Sequence, residues 1–399
     1  MSESLLPYTA CSSTTIGGPR RQASLEASPC EHRQDPVTIN TLPDDVLVEI
    51  FHFHVDRRGN WTKEWHTLVH VCQRWRHVVF ASPCRLNLRL EYRGNRPMSD
   101  ILDVWPVLPV VMIHNFYESS KYWRNFSAAL ESEQHHHRIC EITLSHIPEY
   151  YCDRLAAAMQ KPFPGLTSLQ FWLEDNVAMS LPDSFLGGSA PLLRHLILRR
   201  CPFPGISKLL LSANQLVLLR LWDIPDSGYI SPQDLGTALS VMSKLETLHL
   251  EFRSPPYPAS RPPTPLTRSV LPALTRLEFE GVHEYLEDLL AQIEAPLLNN
   301  LIVVFFRNLD FVLPQLRRLI SQAEWFKTCD RATVRAWPSD IHLRIYRGIH
   351  HFPFLSLRVL CEELDSQLAS LAQIRIVTQH AGKMSRNLNG WNSWPRSLL

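Results

Sequence analysis

One short apolar string recurs seven times between residues 139 and 303, with hydrophobic residues at its first, fourth and sixth positions. It reads Ile139/Ile142/Leu144, Leu166/Leu169/Phe171, Leu193/Leu196/Leu198, Leu216/Leu219/Leu221, Leu245/Leu248/Leu250, Leu274/Leu277/Phe279 and Leu298/Leu301/Val303. From starts at 139, 166, 193, 216, 245, 274 and 298, the steps are 27, 27, 23, 29, 29 and 24 residues. A strand sends alternate side chains to opposite faces, so the fourth and sixth residues of each string share one face. One such unit cannot bury that face alone. Units of this kind must therefore stack on their neighbours.

The intervening segments fit the same scheme. Turn signals precede several strings, at Phe163-Pro164-Gly165, Ser189-Ala190-Pro191, Leu271-Pro272-Ala273 and Glu294-Ala295-Pro296. Helical candidates lie between strings at 153–160, 233–242 and 285–293. Ala332–Val334 and Ile341–Ile345 are strand candidates in an irregular stretch, and Leu371/Ile374/Ile376 is a candidate last unit. Leu86–Leu90 and Val107–Ile113 are candidate strands of atypical first units. The spacing falls in the range of leucine-rich repeats. The expected fold class is α/β, with a right-handed leucine-rich-repeat-like solenoid, a horseshoe, over residues 85–380. Residues 253–267, with six Pro between 255 and 265, read as an extended surface insertion. Residues 1–36 and 381–399 read as tails without apolar periodicity.

Composition removes several function classes. In 399 residues, 40 basic groups nearly cancel 39 acidic ones, so nothing favours nucleic acid or a membrane surface as partner. Met1–Ala10 lacks the basic start of a secretory signal, and apolar runs such as Leu301–Phe306 are too short to span a bilayer. An intracellular protein, cytoplasmic or nuclear, is expected. Nine Cys occur without a Cys-x-x-Cys pair, which argues against a disulfide framework or a zinc module. His135-His136-His137 reads as a surface loop tract, because three adjacent residues cannot all reach one ion. Phosphate-binding glycine motifs and a Gly-x-Ser-x-Gly elbow are absent from the sequence. No catalytic residue, metal or cofactor is expected.

A second organised segment precedes the repeats. Asn40-Thr41-Leu42-Pro43-Asp44-Asp45 is a helix start, with Asn40 or Thr41 as the cap and both Asp at the positive end of the helix dipole. Val46, Leu47, Ile50 and Phe51 then share one face, and Asp56–Asn60 ends the helix. A further helical stretch spans 65–80, its apolar stripe including Leu68, Val71, Cys72, Trp75, Val78 and Val79. A break near Val71–Cys72 splits it, and Ser82-Pro83 stops it.

Ile39–Phe51 followed by Leu68–Phe80 resembles an F-box, which opens with Leu-Pro and an amphipathic helix ending in Ile-Phe and closes with Val-Cys-x-x-Trp-Arg. Leu42, Pro43, Asp45, Ile50, Phe51, Val71, Cys72, Arg74, Trp75 and Arg76 match that pattern. His52–Val55 departs from it, and Asp56–Trp65 is a longer link than usual. The whole chain is similar to the large fungal group that joins an F-box-like segment to divergent repeats. The resemblance implies an F-box domain at 37–84 that docks onto the small adaptor subunit of a cullin–RING ubiquitin ligase. Leu42, Pro43, Val46, Leu47, Ile50, Phe51, Val71, Cys72, Trp75 and Val79 are the expected adaptor-binding residues. Another reading of the same periodicity is a helical cap that only seals the end of the repeats, in a scaffold without ligase association.

Between the inward apolar residues, the strings expose a second set. Trp172, Arg199, Arg220, Trp222, His249, Glu251, Glu278 and Glu280 are expected to line the concave face and bind an unknown protein target. The sign of charge runs from basic to acidic, which implies a partner with acidic groups at the first units and basic groups at the later ones. A solvated wall of mixed charge without a common ligand fits the same sequence.

Overall fold

A computed structural model describes residues 38–56, 61–105, 107–119, 122–174, 177, 179–203, 205–253, 268–306, 313–323, 328–329, 331–337, 340–346 and 353–360. Both expected tails, most of the Pro-rich insertion, the turn at 57–60 and the string at 371–376 lie outside these residues. The chain divides into two compact units, one ending at Leu47 and the other beginning at Val48.

In the first unit a single turn, Ile39–Thr41, leads into helix α1 (Asp44–Asp56), which continues into the second. Thr41 closes the turn before this helix. Its hydroxyl donates to the Thr38 carbonyl at 2.7 Å. Pro43 stands just outside the helix, and its carbonyl accepts the first helical bond from the Leu47 N–H at 3.1 Å. Asp44 and Asp45 occupy the first turn, where the dipole favours them.

The second unit begins its own helices with α2 (Trp61–Val69) and α3 (Gln73–Ala81). The break falls at Cys72, whose sulfur accepts from the Trp75 N–H at 3.4 Å and caps α3. Trp65 is sealed: its indole N–H donates to the Arg89 carbonyl at 3.0 Å, and its ring meets Phe80 and Trp105 edge-on.

Strands and helices then alternate. They are β1 (Leu90–Tyr92), α4 (Met98–Leu102), β2 (Val110–Asn115), α5 (Phe116–Ser119), α6 (Trp123–Glu131), β3 (Ile139–Ile147) and α7 (Glu149–Ala158). Next come β4 (Ser168–Leu173), β5 (His195–Arg199), α8 (Ile206–Ser212), β6 (Leu218–Ile224), α9 (Pro232–Leu239) and β7 (Thr247–Phe252). The chain continues through β8 (Ser269–Val270), β9 (Arg276–Gly281), α10 (His283–Leu290), β10 (Ile293–Glu294), β11 (Asn300–Phe305) and α11 (Pro314–Gln322). It closes with β12 (Arg331–Trp337), β13 (Asp340–Tyr346) and β14 (Leu355–Leu360).

Among the described residues, twelve strands form one open, mostly parallel α/β sheet in the order β1-β2-β3-β4-β5-β6-β7-β9-β11-β14-β13-β12. β8 and β10 form a separate short pair. The registers stack equivalent string positions. Ile142, Leu169, Leu196, Leu219, Leu248, Leu277 and Leu301 make one continuous apolar ladder. Leu144, Phe171, Leu198, Leu221, Leu250, Phe279 and Val303 make a second. Every member of both ladders is buried, as is the first residue of every string.

That first residue has a backbone task. In the strings from Leu166 to Leu298 its N–H closes a turn on the residue three before it, such as Phe163, Ala190, Ala213, Met242, Leu271 and Ala295. The next N–H reaches back to the preceding unit: Thr167 to Cys140, Arg194 to Thr167, Val217 to Arg194, Glu246 to Val217, Thr275 to Glu246 and Asn299 to Thr275, each at 2.8–2.9 Å. The loops are thereby hydrogen-bonded in the same order as the strands, leaving few buried backbone groups unpaired.

The candidate strands at 86–90 and 107–113 are displaced: pairing begins at Leu90 and Val110. Residues 83–87 instead form a turn in which the Leu88 N–H donates to the Pro83 carbonyl at 2.9 Å, and Pro109, just before β2, lacks an N–H to give. β12 and β13 cover the candidates at 332–334 and 341–345, but they pair antiparallel, and β14 slots in parallel against β11. The His135–His137 tract is not wholly at the surface. His136 is buried, stacks on Phe163 at 4.0 Å, and places its ring nitrogens 2.7 Å and 3.2 Å from the Leu130 and Pro162 carbonyls.

Helices α10 and α11 hold each other by their ends. The buried Glu287 carboxylate of α10 accepts from the Gln315 and Leu316 N–H groups at the start of α11, both at 2.8 Å. Arg318 of α11 donates to the Leu290 carbonyl at the end of α10 at 2.7 Å. Both contacts put a charge at the favourable end of a helix dipole. Glu287→Ala is expected to lower unfolding free energy in urea by about 1–3 kcal/mol, with Glu287→Gln losing less because it keeps an acceptor.

Candidate functional site

Two surfaces carry the residues singled out in sequence. On the helical segment, the first unit exposes Pro43 and Val46, leaves Leu42 partly covered and buries Leu47. In the second unit, Ile50 of α1 is 41% exposed and Val71, in the turn between α2 and α3, is 59% exposed. Cys72 beside it is also exposed. Phe51 and Val79 are buried and cannot meet another chain directly. They form the floor under the exposed groups.

Trp75 is intermediate. Its ring lies 4.7 Å from that of Phe51, and its indole N–H is shut off from water without a hydrogen-bond partner among the described residues. Arg76 is exposed, and its Nε–H donates to the Val69 carbonyl at 3.0 Å and ties α3 to the end of α2. Sequence reasoning missed Phe53, which is 59% exposed. The available signal was its position three residues after Ile50, on the same side of α1.

These helices are two-sided within the second unit. Trp65, Leu68, Val69, Val78 and Val79 are sealed, while Ile50, Phe53 and Val71 remain wet.

On the sheet, the expected target-binding residues occupy the alternate positions between the apolar ladders. Trp172, Arg199 and Trp222 are direct neighbours across β4, β5 and β6. Gln170, Ile197, Arg220, His249 and Glu278 form the adjacent row. Glu251 and Glu280 face each other across β7 and β9, and the row continues through Val304 to Arg358. The register thus places the eight residues on one continuous inner row and on two outer runs, Trp172–Trp222 and Glu251–Glu280, separated by the register shift between β6 and β7. It also reproduces the expected change of sign.

The charges are not equally free. Glu278 pairs with Arg276 on its own strand and lies 3.0 Å from Nδ1 of His249. Its carboxyl, although burial disfavours ionisation, is held down to about 2 by His249 and Arg276. His249 also lies 3.7 Å from Glu251, and Trp222 donates its indole N–H to the same Nδ1 at 2.8 Å. Burial lowers the His249 pKa, but the two carboxylates outweigh it and the net direction is up. Glu280 is pushed up by burial and by Glu251. Beyond the end of this face, Arg200 and Arg253 both pair with Asp223. Arg200, Asp223 and His146 share left-handed backbone, with φ of 63°, 54° and 58°. In these units the strand thus ends in a kink that the ion pair and local bonds must hold.

Arg199 and Arg220 have no carboxylate partner among the described residues. Arg220 lies 5.6 Å from the Trp222 ring centre, a cation–π contact, and its Nε is buried without a partner. The Trp172 indole N–H is likewise buried and unpartnered. Among the described residues, no cluster of His, Cys, Asp and Glu is arranged to hold a metal ion, and no helix is long and apolar enough to cross a membrane.

The His249 cluster gives a pH test. Its raised folded pKa means that its stabilising contribution is full below the unfolded value of about 6.5 and is lost as pH rises through the folded value. NMR titration is expected to place His249 above that reference, with Glu278→Gln bringing it down. Urea unfolding across the same pH window should show a smaller loss with rising pH in Glu278→Gln than in the parent chain. No model of a known protein family matches the sequence, and no curated protein matches it detectably.

Proposed function

We propose that this chain is a substrate-recognition subunit of a cullin–RING (SCF-type) ubiquitin ligase, with an F-box at its N-terminal end and a leucine-rich-repeat-like solenoid after it. The helical segment holds the small adaptor subunit, and the sheet face holds the target. Catalysis belongs to the partners; this chain contributes proximity, which raises effective concentration.

One observation carries the docking half of this reading: Ile50 and Phe53 of α1 and Val71 in the turn after α2 stay exposed on a helical segment that buries Phe51, Trp65, Leu68 and Val79. About half of each side chain is still exposed, so covering the three is favourable by roughly 0.7–1.7 kcal/mol each, enough to matter in a small interface. The repeat half is supported by the in-register leucine ladders and by the string Leu193-x-x-Leu196-x-Leu198, which continues to a buried Cys201 and Phe203 as leucine-rich repeats do.

A cap that seals the repeats, within a scaffold lacking any ligase association, has its own support in Trp65. Its bond to Arg89 anchors α2 beside the first strand. Capping and docking use different sides of the helices, so a cap alone leaves Ile50 and Val71 without a reason to be apolar.

The test uses that difference. Ile50→Asp with Val71→Asp changes only exposed positions, so the variant is expected to fold and to lose co-purification with the adaptor subunit by at least about tenfold. Undiminished adaptor recovery with the folded variant would remove the ligase reading and leave the scaffold.

A further inference from the structure

We propose that the sheet face from β4 to β9 binds an extended protein segment carrying one acidic and one basic side chain about three or four residues apart, the acid on Arg199 and Arg220 and the base on Glu251 and Glu280. This rests on the reading of that face as the target-capturing surface and narrows it to a ligand.

The argument starts from which charges are already used. Glu278 is committed to Arg276 and His249, and Asp223 to Arg200 and Arg253. Neither pair needs an outside ion. Arg199 and Arg220 lack any carboxylate partner among the described residues; Arg199 lies between Trp172 and Trp222 in one row, and Arg220 is on the next strand in the adjacent row, beside Trp222. Arg199 is exposed, while Arg220 is partly desolvated against the Trp222 ring. An unneutralised guanidinium beside aromatic rings attracts a planar carboxylate more strongly than one in open water.

The other end has the opposite need. Glu251 and Glu280 are direct register partners, and like charges so placed repel. His249, on the same strand as Glu251, lies 3.7 Å from that carboxylate and 3.0 Å from Glu278, so one imidazole is shared between two carboxylates and leaves Glu280 without it. Arg358 is two strands beyond Glu280. A Lys or Arg from a partner would relieve the repulsion.

Spacing follows from the sheet. Glu251 and Glu280 are two and three strands from Arg199. At about 4.8 Å per strand this is roughly 10–14 Å, which an extended chain covers in about three or four residues. The residues between the two charges cross Trp222, so an apolar or aromatic side chain is favoured there. A nucleic acid fits this face poorly: its phosphates recur at every step, and those past Trp222 would meet Glu251 and Glu280.

A display library of random linear peptides selected on the full chain tests the proposal. Enrichment of Asp or Glu with Lys or Arg about three or four positions away is expected. The best such peptide should bind Arg199→Glu/Arg220→Glu at least about tenfold more weakly, and Glu251→Lys/Glu280→Lys likewise. Circular dichroism checks that each variant is folded. If the double arginine variant does not fold, Arg199→Gln at its exposed site still has to weaken binding by about threefold or more. An empty selection, peptides without the charge pair, equal binding by folded variants, or stronger retention of a polyuridine oligonucleotide than of any peptide would each overturn it. The adaptor is absent from this measurement, so its outcome and that of the co-purification fail independently.

Discussion

Everything in the sheet depends on leucine standing over leucine at the spacing of neighbouring parallel strands. Seven strings place Leu or Ile at the fourth position and Leu, Phe or Val at the sixth, and strand pairing converts these into two buried ladders. Slipping any strand by one residue would turn its ladder members outward and bring Arg220, His249 or Glu278 into the core. The register is therefore fixed by burial, and the loop hydrogen bonds between successive units agree with it.

Fixing the register also fixes the chemistry of the other face. Each strand has two positions whose side chains are free to vary, and register sorts them into rows that no single repeat could define. Trp172, Arg199 and Trp222 come from three units, yet they lie side by side. His249 shows the consequence: its partners Trp222, Glu251 and Glu278 come from three strands, and the two carboxylates raise its pKa against the effect of burial. A row of this kind can be read by a partner as a sequence of charges, which isolated strands could not offer.

The helical segment solves a different problem. A stack of strands must end somewhere, and an uncovered first strand would leave backbone groups and apolar side chains in water. Trp65 and its bond to Arg89 anchor α2 beside the first strand. Helices are round, so covering the sheet with one side leaves another side free. Here Ile50 and Phe53 of α1, and Val71 in the turn after α2, are exposed where solvent would favour polar residues.

The strings, their period, the turns before them and the helices expected at 153–160, 233–242 and 285–293, which overlap those at 149–158, 232–239 and 283–290 but begin one to four residues late, were legible because hydrophobic spacing reports local geometry directly. So were the break at Cys72 and the alternation that exposes Arg199 and Glu251. The antiparallel pairing of β12 and β13, the insertion of β14 beside β11, and the burial of His136 were not, because each depends on residues far away in the chain. The same limit applies to the ten residues expected at the adaptor surface. Periodicity grouped them on apolar stripes, but a stripe does not reveal which members another part of the chain already covers. By itself the sequence determined an α/β repeat with a helical segment before it and the faces on which its charges fall. Only the tertiary structure decided that Leu47, Phe51 and Val79 are sealed while Ile50 and Val71 are wet, and that Glu278 is neutralised while Arg199 and Arg220 are not. The reason is physical: burial and ion pairing are properties of neighbours, and neighbours are set by packing.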